Sequence, residues 1–226
     1  MDASDKFQQQ AFDVIAGGVA KAFDLSKEDP KTIAKYDTSK LFKQEDLQKY
    51  HDMKRASNLL GKQMLLARRL CEAGCGFVTV SDCGWDYHAN NNSPKGMKGI
   101  YPMGGQVDHA VNAFLDDVEA RGLSDKILLV VTGEMGRTPR INKNGGRDHF
   151  GGLTSLLFAG GGLKMGQVIG QSDSKATKPS SIPYEPSHLV ATILNVLFDV
   201  GQLRLRTDVP REISQLGEKD VIRELF

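Results

Sequence analysis

The segment Lys126-Ile127-Leu128-Leu129-Val130-Val131-Thr132 decides the fold that we expect for this chain. Its apolar side chains would lie on both faces of an extended strand, which is typical of a strand covered on both sides in a parallel sheet. A second β-branched run, Gly76 to Ser81, precedes it, and the amphipathic pattern of residues 106–120 predicts a helix between the two. Strand, helix and strand in this order predict a right-handed βαβ crossover.

The rest of the chain extends this pattern on both sides. Residues before Gly74 have helical spacing, and Gly74 is expected to end the last of these helices. The sequence therefore predicts an α/β fold, a mostly parallel sheet flanked by helices, with a helical segment at residues 1–74 that packs on an α/β core at 75–226. Together these are expected to form one domain. The further predicted elements are helices from Phe12 to Phe23 and from Glu45 to Ala73, strands at 153–159 and 167–170, and a helix capped by Ser187 that continues through Phe198.

Composition limits the class of protein without naming an activity. The chain has 226 residues, and its 40% hydrophobic and 25% charged content is that of an ordinary globular protein. A net charge of +1 provides no field that attracts nucleic acid or an anionic membrane. No apolar run reaches the roughly 20 residues of a membrane span. The three cysteines are too few for a disulfide framework and lack zinc-ribbon spacing. The N-terminus has no hydrophobic signal core, so we expect the chain as written to stay in the cytoplasm.

Acidic and imidazole side chains follow the predicted strands. Asp86 and His88 come after the first strand and Glu134 after the second, and Asp148 and His149 lie in the glycine-rich loop before the third. Because the carboxyl ends of parallel strands meet at one edge of a sheet, we expect the three segments to converge. Carboxylates and neutral imidazoles bind divalent cations, so the sequence predicts a site for zinc, calcium or magnesium.

Each of these residues also has a simpler interpretation. The Asp86 carboxylate could cap backbone amides, and Glu134 could form a structural salt bridge with Arg137 or Arg140.

The three arginines Arg137, Arg140 and Arg147 could bind a sulfate or phosphate oxyanion through their forked donors. For Arg140, a solvated loop position is an equally good interpretation.

A resemblance to one known family lies in four segments, Leu66–Leu70, Gly84–His88, Gly136–Pro139 and Asn142–His149. These segments resemble the domain-of-unknown-function family 1501. The family is abundant in planctomycetes and related bacteria, and it belongs to the alkaline phosphatase and sulfatase-like superfamily. The chain resembles only the C-terminal half of the family. The resemblance implies an alkaline-phosphatase-like fold and a two-metal site that hydrolyses sulfate or phosphate esters.

The resemblance also implies roles for particular residues. Asp86 and His88 match the first of the superfamily's later metal ligands, and His149 matches the last. Glu134 falls where the aspartate of a middle Asp-His pair belongs, and Met135 takes the place of its histidine. A thioether is a poor ligand for zinc, calcium or magnesium, so the second metal position departs from the pattern.

Two further features depart from the pattern. Asp148 has no clear counterpart, and it would either bind the cation or orient His149. The superfamily's nucleophile lies near the N-terminus, and nothing in this chain matches it. The resemblance therefore implies that the chain is one incomplete domain, either a C-terminal part of a longer protein or a natural short form, with little turnover by itself. Its partners would be a sulfate or phosphate ester and an N-terminal half, and family members are commonly exported by a twin-arginine signal.

Two other classes of protein remain open. The first is a non-catalytic, metal-stabilised binding or scaffold domain, which Met135 and the unmatched nucleophile favour. The second binds no metal, and its acidic side chains form salt bridges with the neighbouring arginines.

Overall fold

A computed structural model describes residue 12, residues 19–96 and residues 98–226. Of these described residues, 39% are helical and only 7% lie in strands, and the strands form two small antiparallel sheets. The expected mostly parallel α/β sheet is therefore wrong. The described α-helices are α1 (Val19–Ala22), α2 (Pro30–Lys35), α3 (Gln44–Gln48), α4 (Leu60–Glu72), α5 (Ile100–Ala120), α6 (Pro186–Leu197), α7 (Val200–Leu203) and α8 (Arg211–Gly217). The strands are β1 (Leu128–Val131), β2 (Gly136–Arg137), β3 (His149–Phe150) and β4 (Leu157–Gly160).

The first of two compact units comprises residues 1–121 and 142–146. At its centre α4 packs against α5. Both helices bury an apolar face, which includes Leu65 on α4 and Met103 and Phe114 on α5. A Cβ atom at Gly61 would lie 1.7 Å from the carbonyl oxygen of Tyr36, so only glycine allows this close approach to α4.

A network of charged side chains is buried in this unit. The Arg68 side chain is 1% exposed, and its guanidinium donates to Asp117 over 2.8 Å and to Glu28 over 2.7 Å. Burial opposes the charged form of Glu28, but hydrogen bonds from Arg69 and Arg68 outweigh it and lower its pKa to about 2. The hydroxyl of Tyr36 donates to Asp117 over 3.0 Å. The network ties α4 and α5 to the segment before α2.

The second unit comprises residues 122–141 and 147–226. Strand β1 pairs antiparallel with β4, from Leu128 opposite Gly160 to Val131 opposite Leu157. Strand β2 pairs antiparallel with β3, and α6 packs against α8. Helix α6 begins with a capping box between Glu185 and His188, so the N-cap is Glu185 and not the predicted Ser187.

The strand predictions failed for identifiable reasons. The 126–132 run does form β1, but its partner β4 returns antiparallel, so no βαβ crossover forms. Residues 76–81 form no strand, and neither do residues 167–170. A β-branched run becomes a strand only where another strand satisfies its backbone groups, and no described segment pairs with either run. The predicted 153–159 strand begins later, at Leu157.

The helix predictions need smaller corrections. The predicted 106–120 helix begins earlier, at Ile100, and the long 45–73 stretch is interrupted between α3 and α4. Gly74 follows α4 with a φ of +97°, as expected of a helix terminator. The Phe12–Phe23 helix lies mostly outside the described residues. None of the described helices has both the length and the apolar character that a bilayer span requires.

Candidate metal centre

The segment that carries Asp86 and His88 lies outside the helices and strands, and its side chains alternate in burial. Tyr87 and Ala89 are buried in a cluster with Met53, while the side chains of Asp86 and His88 are 59% and 19% exposed. The Tyr87 amide donates to the Trp85 carbonyl oxygen over 2.8 Å, which makes a tight turn at Asp86. The apolar residues therefore fix the direction of the acid and the imidazole. The Oδ1 atom of Asp86 lies 3.0 Å from the Nε2 atom of His88.

The backbone around His88 is held in an unusual conformation. Ala89 has a φ of +56°, in the left-handed region that a residue with a Cβ atom rarely adopts. Such a conformation costs on the order of 1–2 kcal/mol and persists only where surrounding contacts impose it. Ala89 is 1% exposed, so packing supplies that constraint. The Oγ atom of Ser93 accepts a hydrogen bond from the His88 amide over 3.3 Å.

A tight loop at residues 142–146 supports the carbonyl group of His88. The Nδ2 group of Asn142 donates to the His88 carbonyl oxygen over 3.2 Å. The Oδ1 atom of the same side chain accepts from the amides of Asn144 and Gly146 over 3.0 and 3.1 Å. A Cβ atom at Gly146 would lie 2.2 Å from the His88 carbonyl oxygen. Glycine is therefore required at position 146, where this loop contacts the backbone of His88.

His149 lies on β3, directly opposite Arg137 on β2. Directly opposed residues of an antiparallel pair project to the same face of the sheet. Only glycine fits at position 136 of β2, because a Cβ atom there would lie 1.8 Å from the carbonyl oxygen of Leu153. The short β2–β3 pair thus presents a histidine and an arginine side by side.

Three of the five predicted metal ligands form a group. Asp86, His88 and His149 each offer one ligand atom, and these atoms all lie within 4.8 Å of one another. Ligand bonds of roughly 2 Å to a shared cation place donor atoms about 3–4 Å apart, so a small rearrangement would suffice for binding. His88 is the least exposed of the three, and the other two are open to solvent.

The other predicted site residues lie outside that group. Glu134 is exposed in the turn between β1 and β2, beside Met135. The backbone of Asp148 exchanges two hydrogen bonds with Thr138, over 2.9 and 3.1 Å. Cation binding by either acid stays a prediction.

The predicted arginines differ in their surroundings. One guanidinium nitrogen of Arg147 donates to the carbonyl oxygens of Thr138 and Pro139 over 2.7 and 2.6 Å. Arg147 therefore braces its own loop, whatever else it binds. Arg140 is exposed, and Arg137 is half-buried on β2. Among the three, Arg137 is the one whose strand position adjoins a ligand of the group.

Sequence reasoning missed the residues that position His88. Asn142, Gly146 and Ser93 fix its backbone but offer no ligand to a cation. The turn-forming sequence Asn142-Lys143-Asn144-Gly145-Gly146 was a usable signal, because such residues accept local hydrogen bonds and tolerate positive φ. Its contact with His88 depends on a long-range approach that spacing alone does not reveal.

The indole of Trp85 is anchored by the half-buried Asp82. Its Nε1 group donates to Asp82 over 2.8 Å. Burial raises the pKa of Asp82, and the hydrogen bond from Trp85 opposes this effect. This hydrogen bond holds Trp85, the residue directly before Asp86.

These features define a helix-rich protein with a candidate group of metal ligands. The family described as "Protein of unknown function (DUF1501)" matches residues 1–226, the whole chain, and the chain belongs to that family. The comparison with curated proteins found no match. The comparison with solved structures also found none.

Proposed function

We propose that this chain supplies a divalent-cation site of a hydrolase that acts on sulfate or phosphate esters. The observation that carries the proposal is the group formed by Asp86, His88 and His149. Two imidazoles and one carboxylate match the donor set of catalytic zinc sites, in which three protein ligands leave one position for water or substrate. A bound cation would polarise an ester oxygen and lower the pKa of a bound water.

Several residues of the chain have definite tasks under this proposal. His88 and His149 bind through neutral imidazole nitrogens, and the Asp86 carboxylate lowers the net charge of the cation site. The Oδ1 atom of Asp86 and the Nε2 atom of His88 lie 3.0 Å apart, a separation close to that of two ligand atoms on one cation. The β2–β3 pairing places Arg137 beside His149. Its guanidinium is suited to two oxygens of a sulfate or phosphate group, because its forked donors match that geometry.

The first experiment measures cation binding by the purified protein. Zinc is titrated calorimetrically into metal-free protein, and elemental analysis gives the bound stoichiometry. We expect one zinc per chain, with binding at least tenfold weaker in His88→Ala and in His149→Ala. His51→Ala is the matched control, because the His51 side chain is 83% exposed and lies outside the group. Equal affinity in all four proteins would show that the group binds no cation.

The second experiment tests catalysis with p-nitrophenyl sulfate and p-nitrophenyl phosphate. We expect little or no turnover by this chain alone, because no residue in it matches the superfamily's nucleophile. Zinc-dependent hydrolysis after addition of the N-terminal half of a family member would support the hydrolase. That hydrolysis should disappear in His88→Ala and persist in His51→Ala.

A non-catalytic, metal-stabilised scaffold is the second candidate function. The observation that favours it is Met135, a thioether at the position where the superfamily places a histidine ligand, and 36% exposed. A scaffold would bind zinc and gain stability from it without hydrolysing either ester in any combination of segments. The two experiments together therefore separate the two candidates.

A further inference from the structure

A cleft with a concentration of lysines lies within the first compact unit. Its volume is about 590 Å³, inside the range of about 300–1,000 Å³ that is typical of small-molecule sites. Lys43, Lys95 and Lys98 line it, against a single acid, Asp46. The cleft therefore carries an excess of positive charge in a chain whose net charge is only +1. All three lysine side chains are exposed and can rearrange around a ligand.

The remaining wall is aromatic and amidic. Phe42 and Tyr50 line the cleft and pack against the buried cluster that contains Tyr87. Asn90 and Asn91 line it as well. Apolar ring faces bind the C–H surface of a sugar, and side-chain amides hydrogen-bond its hydroxyl groups.

The Asn90 side chain is oriented by its own loop. Its Oδ1 atom accepts from the Asn92 amide over 2.8 Å and from the Ser93 hydroxyl over 3.4 Å. The Nδ2 group of the same amide is thereby left to donate to a ligand. Ser93 in turn holds the amide of His88. The loop that supports a predicted metal ligand thus also forms the wall of the cleft.

We propose that this cleft binds a sugar ring that carries a sulfate or phosphate ester. The lysines bind the ester oxyanion, and the aromatic and amide side chains bind the ring. None of the three cation-ligand residues lines the cleft, so this site goes beyond the proposed cation site. Sulfate and phosphate esters share the chemistry that lysines recognise, and the experiment includes both.

The test measures binding of glucose 6-phosphate, glucose 6-sulfate, glucose and inorganic phosphate by titration calorimetry at low ionic strength. We expect at least one of the two esters to bind tenfold more tightly than glucose and than inorganic phosphate. Absence of binding by both esters would overturn the proposal. Affinity for glucose or for inorganic phosphate equal to that of the better ester would also overturn it, because either ring or anion recognition would then be lacking.

Charge-matched variants locate the site. The triple variant Lys43→Gln/Lys95→Gln/Lys98→Gln should lose at least tenfold in affinity, because it removes three charge-assisted contacts. The control Lys31→Gln/Lys35→Gln/Lys62→Gln removes three exposed lysines of the same unit that do not line the cleft. Equal losses in both variants would overturn the assignment.

A metal-ligand variant separates this proposal from the proposed function. His88→Ala should retain the ester affinity while it loses zinc binding. If ester binding disappeared with zinc binding, the ligand would belong to the cation site and the cleft proposal would fall. If zinc binding were absent throughout and ester binding intact, the cleft proposal would stand without the proposed function.

Discussion

Replacing Arg68 by alanine should destabilise the first compact unit more than any surface change on α4. The Arg68 side chain is 1% exposed and forms ion pairs with Glu28, Glu72 and Asp117. Glu28 and Asp117 are themselves only 6% and 8% exposed. Removing the guanidinium leaves two buried carboxylates with fewer cationic partners. Breaking a buried ion pair in this way typically costs about 3–5 kcal/mol.

The remaining contacts of the two carboxylates place the cost at the lower end of that range. Glu28 keeps Arg69 at 2.8 Å and Arg121 at 3.1 Å, and Asp117 keeps Arg121 at 2.8 Å. Hydrogen bonds from Arg69 and then from Arg68 lower the pKa of Glu28, so part of this effect persists when Arg68 is removed. We therefore expect Arg68→Ala to lower the free energy of unfolding by about 3 kcal/mol at pH 7.

The pH dependence gives a second signature of the same network. Because the folded-state pKa of Glu28 is depressed, its contribution is complete above about pH 4.5 and is lost as the pH falls toward 2. In Arg68→Ala the pKa of Glu28 should move back toward its ordinary value, so the variant loses less stability over this window. The stability difference between the two proteins should therefore shrink as the pH falls from 4.5.

Urea denaturation followed by circular dichroism, from pH 7 to pH 3, measures both effects. Lys62→Ala is the matched control, because Lys62 is exposed on the same helix. A loss below about 1 kcal/mol for Arg68→Ala, or a loss equal to that of the control, would refute the reasoning. So would a stability difference that stayed constant with pH.

Three further predictions concern the loop at His88, the packing of α4 and the cation site. Gly146→Ala should weaken zinc binding at least tenfold in calorimetry, because its Cβ atom would lie 2.2 Å from the His88 carbonyl oxygen; unchanged affinity would contradict that constraint. Gly61→Ala should lower the free energy of unfolding by at least about 1–3 kcal/mol, because its Cβ atom meets the Tyr36 carbonyl group; a neutral result in urea denaturation would contradict the close approach. Zinc at 100 times its dissociation constant should stabilise the protein by about 2.7 kcal/mol in denaturation experiments, and a gain retained in His149→Ala would place the cation elsewhere.

Local signals in the sequence predicted single elements well. The apolar run at 126–132 forms β1, and the one-sided apolar pattern at 106–120 lies within α5. Gly74 adopts a positive φ just after α4, as expected of a helix terminator. These features depend on residues within one or two turns of each other, so spacing alone is sufficient to recognise them.

Strand pairing could not be predicted in the same way. An apolar run on both faces is typical of a strand in a parallel sheet, but burial of both faces does not specify which strand lies beside it. β1 takes β4 as an antiparallel partner, and the turn-rich residues between them carry the short β2–β3 pair instead of a crossover helix. The β-branched run at 76–81 leaves Phe77 69% exposed. Which strands pair depends on residues far apart in the chain, and the local pattern of a single sequence does not specify it.

Asp86, His88 and His149 lie close together although the predicted parallel sheet is absent, because their geometry does not depend on such a sheet. Tyr87 and Ala89 are buried in the core, whereas Asp86 and His88 stay more exposed. His149 takes its direction from a two-residue strand pair that Gly136 allows. The alternating burial at residues 86–89 and the close contact at Gly136 hold these side chains in place. The convergence of parallel strand ends, on which the prediction was based, is absent. The acidic and imidazole residue types therefore indicated which side chains lie close together, and the topological argument for bringing them together was wrong.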